Sequence, residues 1–218
     1  KFEGAAADTT KTNLIFAGTN VLVWNFLLTV GLAVPVASFY ESFNHPAEWN
    51  KKEREWVWSY SVPVGADTYN AELHGKVNAD NIGWSMYISK NGGYSDFLWY
   101  TGTSKKDNTS GQWILNDNHI SAKPLLQIDW HKNAIGTCDV KYMNVVPGGI
   151  ENGGYINYGI VSDPMLDAFY DVYNKSKNNL TNIKWNRSSK AGKVKDLLYF
   201  KDSLWHCWST TLVNDSCQ

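Results

Sequence analysis

Two hydrophobic periodicities divide this chain. From 13 to 40 nearly every position is apolar or uncharged, and no charged side chain falls between Lys11 and Glu41. The stretch is as long as a membrane-spanning helix, which needs roughly 18 or more apolar residues with few charges. It predicts a single helix over 14–34, with Asp8, Thr9 or Thr10 as candidate caps and Pro35 kinking or ending it near Val34. From residue 55 the period becomes two. Segment 55–62 puts Trp56, Trp58 and Tyr60 on one face, and similar alternation recurs at 69–77, 82–88, 96–101, 111–116, 125–131, 139–146, 155–161, 168–173, 180–187 and 194–200. The repeated Asn-Gly-Gly-Tyr at 91–94 and 152–155 reads as two tight turns of the same chemistry.

Short strands about a dozen residues apart, separated by loops rich in Gly, Asn, Asp and Lys, predict a mainly β protein. The expected fold is an antiparallel meander of about ten strands forming a curved sheet or half-barrel, packed on one N-terminal apolar helix. Residues 1–12 read as a flexible leader, 13–54 as the helix and a polar connection, and 55–218 as the β domain, all in one unit. The helix could lie in a bilayer or against the sheet. Asn20 and Asn25 favour the sheet, because a buried amide without partners costs about 2–7 kcal/mol. The expectation is a helix enclosed by the chain's own strands.

Composition adds a class of ligand. The chain has 11 Trp, 12 Tyr and 8 Phe, and such rings suit cross-strand pairs, lipid interfaces and sugar faces. Trp24, Trp56, Trp58, Trp84, Trp99, Trp130, Trp205 and Trp208 are the candidate ligand-contacting residues. Net charge is −1, but Lys175, Lys177, Lys184, Arg187, Lys190, Lys193 and Lys195 cluster with no acid among them. The remainder holds 13 basic against 21 acidic residues. That stretch is either a solvated hairpin face or a patch for phosphate or lipid head groups. Of three cysteines, Cys207 and Cys217 are spaced to close a short disulfide loop, leaving Cys138 as a buried, inert thiol.

Signatures of catalysis are absent from the sequence. None of the five histidines has metal-helix spacing, and no Cys-x-x-Cys, nucleophile elbow, calcium loop or phosphate loop occurs. Asp129 and His131 share a strand face and form the one pair suited to acid–base work. No catalytic residue, metal ligand or cofactor is therefore expected.

Segments 84–90, 97–102, 125–130 and 185–187 (WSMYISK, FLWYTG, LLQIDW and WNR) resemble secreted or lipid-anchored β-rich proteins of Bacteroidota. The resemblance implies a cell-envelope or secreted setting and supplies no activity. A lipoprotein would begin at an acylated Cys, whereas residue 1 is Lys. The function expected is non-enzymatic, with a lipid or hydrophobic small molecule as partner, or with the helix enclosed by the protein's own strands. The alternatives are self-association through the apolar segment, a membrane surface or insertion into it, and a carbohydrate-binding module. Nucleic acid is not an expected partner.

Overall fold

The computed structural model describes residues 9–133 and 135–217. Residues 1–8 of the expected leader lie outside them. The chain forms helix α1 (Thr12–Ser42) followed by fourteen strands: β1 (Ala47–Asn50), β2 (Glu55–Val64), β3 (Asp67–Val77), β4 (Asn81–Lys90), β5 (Phe97–Lys105), β6 (Ser110–Asn116), β7 (Pro124–Lys132), β8 (Cys138–Asn144), β9 (Tyr155–Ile160), β10 (Ala168–Asn174), β11 (Asn179–Trp185), β12 (Gly192–Lys195), β13 (His206–Trp208) and β14 (Asn214–Asp215). A one-turn helix, α2 (Leu197–Phe200), precedes β13. Every strand pairs antiparallel with its neighbours in sequence, giving one sheet in the order β1 to β14.

The sheet is open. β1 pairs only with β2 and β14 only with β13 among the described residues, and the sheet is uncurled, so the expected curved sheet or half-barrel does not form. The helix supplies a physical reason. Asn13 touches β13, while Phe39 packs on Trp84 of β4 and Trp113 of β6. Those 26 residues of helix rise about 39 Å, and the nine strand spacings from β13 to β4 cover about 43 Å. A straight rod laid across the strands at nearly the flat-sheet distance holds the sheet extended.

The two sheet faces follow the alternation. Toward α1 point Leu73, Met86, Tyr100, Leu115, Tyr170, Ile183 and Val194, all buried. The opposite face carries cross-strand polar pairs, among them His74 with Glu55 at 2.8 Å and Gln112 with Asp129 at 2.8 Å. One packed and one solvated face is the usual economy of antiparallel sheets. Gly92 and Gly153, in the two repeated turns, hold φ of 70° and 89°, the left-handed region that a side chain resists.

Several expectations need correction. β1 lies inside the stretch read as a polar connection, and Trp49 there pairs in register with Trp56. β5 runs on to Lys105 and β6 starts at Ser110, so the loop expected over 102–110 shrinks to 106–109. The last predicted strand, 194–200, is split: β12 ends at Lys195 because Asp196 caps α2 through the Tyr199 N–H. Pro35 does not end α1, which continues to Ser42. An interior proline costs roughly 3 kcal/mol, and the rings of Phe39 and Phe43 against Trp58, Trp84 and Trp113 offset it. Of the candidate caps, Asp8 lies outside the described residues, and neither Thr9 nor Thr10 is the N-cap residue, which is Lys11 without a side-chain bond. Instead the Asn214 side-chain oxygen accepts the Asn13 N–H at 3.1 Å, a cap delivered from the far end of the chain.

Candidate functional site

Helix α1 is apolar on both sides, and only one side is covered. Ala17 and Leu32 are buried against the sheet, the Asn20 amide donates to the Phe16 carbonyl, and the Tyr170 hydroxyl donates to Asn25 Oδ1 at 3.2 Å. The two awkward amides are thus satisfied by the protein. On the outward side, Ile15, Leu22, Phe26 and Tyr40 are 62%, 72%, 67% and 69% exposed. The expectation of an enclosed helix therefore holds for one face and fails for the other. Strands can cover only the side they touch, and no second layer of the described chain lies above. Over Thr12–Thr29 the helix is long and apolar enough to cross a membrane by length and composition.

Between the C-terminal half of α1 and strands β4 to β7 lies an apolar groove of about 300 Å³. Leu32, Val36, Phe39 and Tyr40 form one wall; Trp84, Tyr100, Trp113, Leu115, Ile128 and Trp130 form the floor and the other wall, with Ser104 and Asn108 the polar groups. Its shape comes from glycines. Gly102 faces Trp113 in register, and Gly111 faces Trp130. A Cβ on Gly102 would sit 2.7 Å from the Gln112 carbonyl oxygen, and one on Gly111 2.6 Å from Trp130 Nε1. Each bare glycine lets an indole lie flat on the neighbouring strand instead of standing into the groove. The Trp84 indole N–H donates to Ser104 Oγ at 3.0 Å, which fixes that ring's orientation. Burial raises the Tyr100 hydroxyl well above the usual phenol range, so it stays neutral, beside Ser38 Oγ at 3.4 Å.

A second hollow, about 450 Å³, opens on the other flank of α1, lined by Tyr60, Tyr69, Tyr94, Phe97, Trp99 and His119 among others. The Tyr60 hydroxyl donates to the Ser38 carbonyl at 2.9 Å. Burial raises that hydroxyl's pKa as well.

The eight tryptophans singled out in the sequence do not converge. Trp84 and Trp130 line the first groove and Trp99 the second. Trp24 packs on the core beneath the N-terminal half of α1, and Trp208 is 4% exposed within it. Trp58 meets Phe43 edge-on, and Trp56 lies against Trp49 near the β1 edge. Trp205 lies near Lys184, Lys193 and Lys195. Trp113, Tyr100 and Phe39 complete the groove and were missed; the signal was the glycine facing an indole one strand away.

The remaining candidates separate too. Lys175 and Lys177 occupy the β10–β11 turn, Arg187 and Lys190 the β11–β12 turn, and Arg187 pairs with Asp167 at 2.9 Å. Hydrogen bonds from the Arg187 backbone and side chain hold the Asp167 carboxyl below its usual range. Asp129 accepts from Gln112 and Gln127, while His131 pairs with Asp139 rather than Asp129. No cluster of three or more potential metal-binding side chains occurs among the described residues. Cys207 and Cys217 form a disulfide with Cα atoms 5.2 Å apart. Cys138 is exposed, against the expectation of a buried thiol, because it begins β8 beside a surface turn.

Comparison of the chain with family models, with curated proteins and with solved structures finds no match.

Proposed function

We propose that this protein is a non-enzymatic binding module of the cell envelope or of the secreted fraction. Its working surface is the apolar trough beside α1, and its ligand is a lipid chain or a similar hydrophobic small molecule. The observation that carries the reading is the groove between α1 and β4–β7, where indole, phenol and aliphatic surfaces converge around two small polar groups. Its composition and concavity are those of small-molecule sites, which are mostly apolar with a few orienting polar atoms. The disulfide supports an oxidising compartment, as does the resemblance to secreted or lipid-anchored proteins. The test is titration with N-phenyl-1-naphthylamine in detergent-free buffer, with palmitate as competitor. Saturable fluorescence, displaced by palmitate and weakened at least tenfold in Trp113→Ala, is expected. An unchanged signal in that variant, with its fold intact by circular dichroism, removes the groove as the site.

A second reading is supported by the outward stripe of α1. Ile15, Leu22, Phe26, Val36 and Tyr40 are exposed and keep a heptad spacing, with exposed Thr19 and Thr29 in the same register. An antiparallel pair of such helices from two copies sets Ile15 against Tyr40 and brings Lys11 of one copy within about a turn of Glu41 of the other. The helix dipoles then oppose head to tail, which is favourable. Light scattering distinguishes the readings. A dimer lost in Phe26→Lys supports assembly through the stripe, and a monomer at high concentration excludes it.

A further inference from the structure

On the sheet face opposite α1, the fold gathers two features that lie apart in sequence. Lys184 of β11 and Lys193 of β12 are direct cross-strand partners, and Lys195 lies two residues along on the same face. Their ammonium groups stand 6.0, 4.8 and 5.2 Å from the centre of the Trp205 ring. Like charges set opposite each other weaken a strand pair. Cation–π attraction to the indole answers part of that repulsion. Among the described residues none of the three lysines forms an ion pair with a carboxylate. Two carboxylates feel the lysine charges from nearby, Asp163 those of Lys184 and Lys193 and Asp171 those of Lys184 and Lys195, while their hydrogen bonds go to the Met165 and Leu166 N–H groups and to the Asn182 amide.

The segment that carries the ring is tied down on both sides. Next to it, His206 stacks on Phe200 at 3.8 Å and bonds Asp202 at 3.0 Å, and Cys207 is tied to Cys217. At the other end of the loop, buried Asp196 accepts from Asn179 and Thr181. A half-exposed indole on a tethered segment, beside three cations, needs little backbone ordering on binding.

We propose that Trp205, Lys184, Lys193 and Lys195 form a binding site for an anionic saccharide, a sugar ring bearing a sulfate, phosphate or carboxylate group. The lysines take the oxyanion and the indole takes the apolar face of the sugar ring. Lys175 and Lys177 at one end of the strands, with Lys190 at the other, extend the positive track along β11, Arg187 being paired with Asp167, so a chain of several units fits better than a monosaccharide. Single-stranded nucleic acid fits less well, because it favours a succession of stacking rings and this surface offers one. The site lies on the other face from the apolar trough, so the two ligands do not compete.

The test is calorimetric titration of the full chain at low ionic strength. The probes are a heparin-derived tetrasaccharide, tri-galacturonate, neutral cellotetraose, inorganic sulfate and oligo-dT. One or both anionic saccharides should bind, and which one identifies the oxyanion. Lys193→Gln and Trp205→Phe should each weaken that binding at least tenfold with melting temperature preserved. Lys51→Gln, far along the sheet, should leave it unchanged. Sulfate or oligo-dT binding as tightly as the saccharides, cellotetraose binding equally well, no saccharide binding, or equal loss in Lys51→Gln would each overturn the proposal.

Discussion

The two halves of α1 rest on the same sheet and are held by different proportions of polar bonds and ring contacts. The N-terminal half sits on β9 to β13, over a core of Ile156, Tyr170, Val172, Ile183, Val194 and Trp208. Phe16 adds rings there, stacked on Tyr199 and edge-on to Phe200, but directed polar bonds fasten the start of the helix. Asn13 donates to the Cys207 carbonyl, Asn214 reaches Thr10 and Thr12, and Tyr170 reaches Asn25. The C-terminal half rests on β2 to β7 mostly through rings, with Phe39 and Phe43 edge-on against Trp58, Trp84 and Trp113 and the Tyr60 and Tyr100 hydroxyls both meeting Ser38. Polar bonds fix position to a few tenths of an ångström, whereas ring contacts tolerate sliding and leave hollows. Both hollows flanking the helix lie in that half. One end of α1 is thus an anchor, and the other is a wall with a hollow on each flank.

The largest way to break this contrast is to remove core volume beneath one half. Leu73, with no exposed surface, lies under the ring-held end, and Leu73→Ala should cost about 2–5 kcal/mol in chemical denaturation while loosening the grooves. Next comes the anchor. Opening the disulfide in Cys217→Ser frees a ten-residue loop and should cost about 2–3 kcal/mol. Faster hydrogen exchange should then appear at the start of α1 and in β13–β14, with the groove half unchanged. Smaller still are single bonds: Asn25→Ala at the anchor and Tyr60→Phe at the wall should each cost about 1 kcal/mol. These sites share no partners, so the double variant should show the sum of the two losses.

The smallest effect is one of pH. Burial raises the Asp171 carboxyl above its ordinary value, outweighing the bond from Asn182. The folded state therefore binds its proton more tightly than the unfolded chain does. Stability from this group is present below the ordinary aspartate range and is lost as pH rises through the raised folded value. Asp171→Asn should flatten that decline in pH-dependent melting, leaving α1 and the grooves untouched.

Much of the strand pattern was legible because a half-buried strand must alternate. Trp56, Trp58 and Tyr60, or Ile82, Trp84, Met86 and Ile88, announce a buried face without reference to any partner. Sheet closure was not legible, since it depends on whether a filler is a compact plug or a long rod, and Pro35 gave a false stop that shortened the rod. β1 and β14 were hidden because strands of four and two residues carry too few alternations. The anchor could not be read at all: Asn214 lies 201 residues from Asn13, and nothing local marks it as a cap. The groove was partly written in Gly102 and Gly111, whose meaning emerges only when register sets them opposite Trp113 and Trp130. The lysines were visible as a run, but their gathering on Trp205 required the β11–β12 pairing and the turn through α2.

Hydrogen exchange along α1, with and without N-phenyl-1-naphthylamine, tests the division most directly. Exchange should be slower over residues 13–28 than over 36–42 in the free protein, with a probe-induced slowing confined to the second segment. Uniform exchange along the helix, or protection by the probe at the anchored end, would contradict that division.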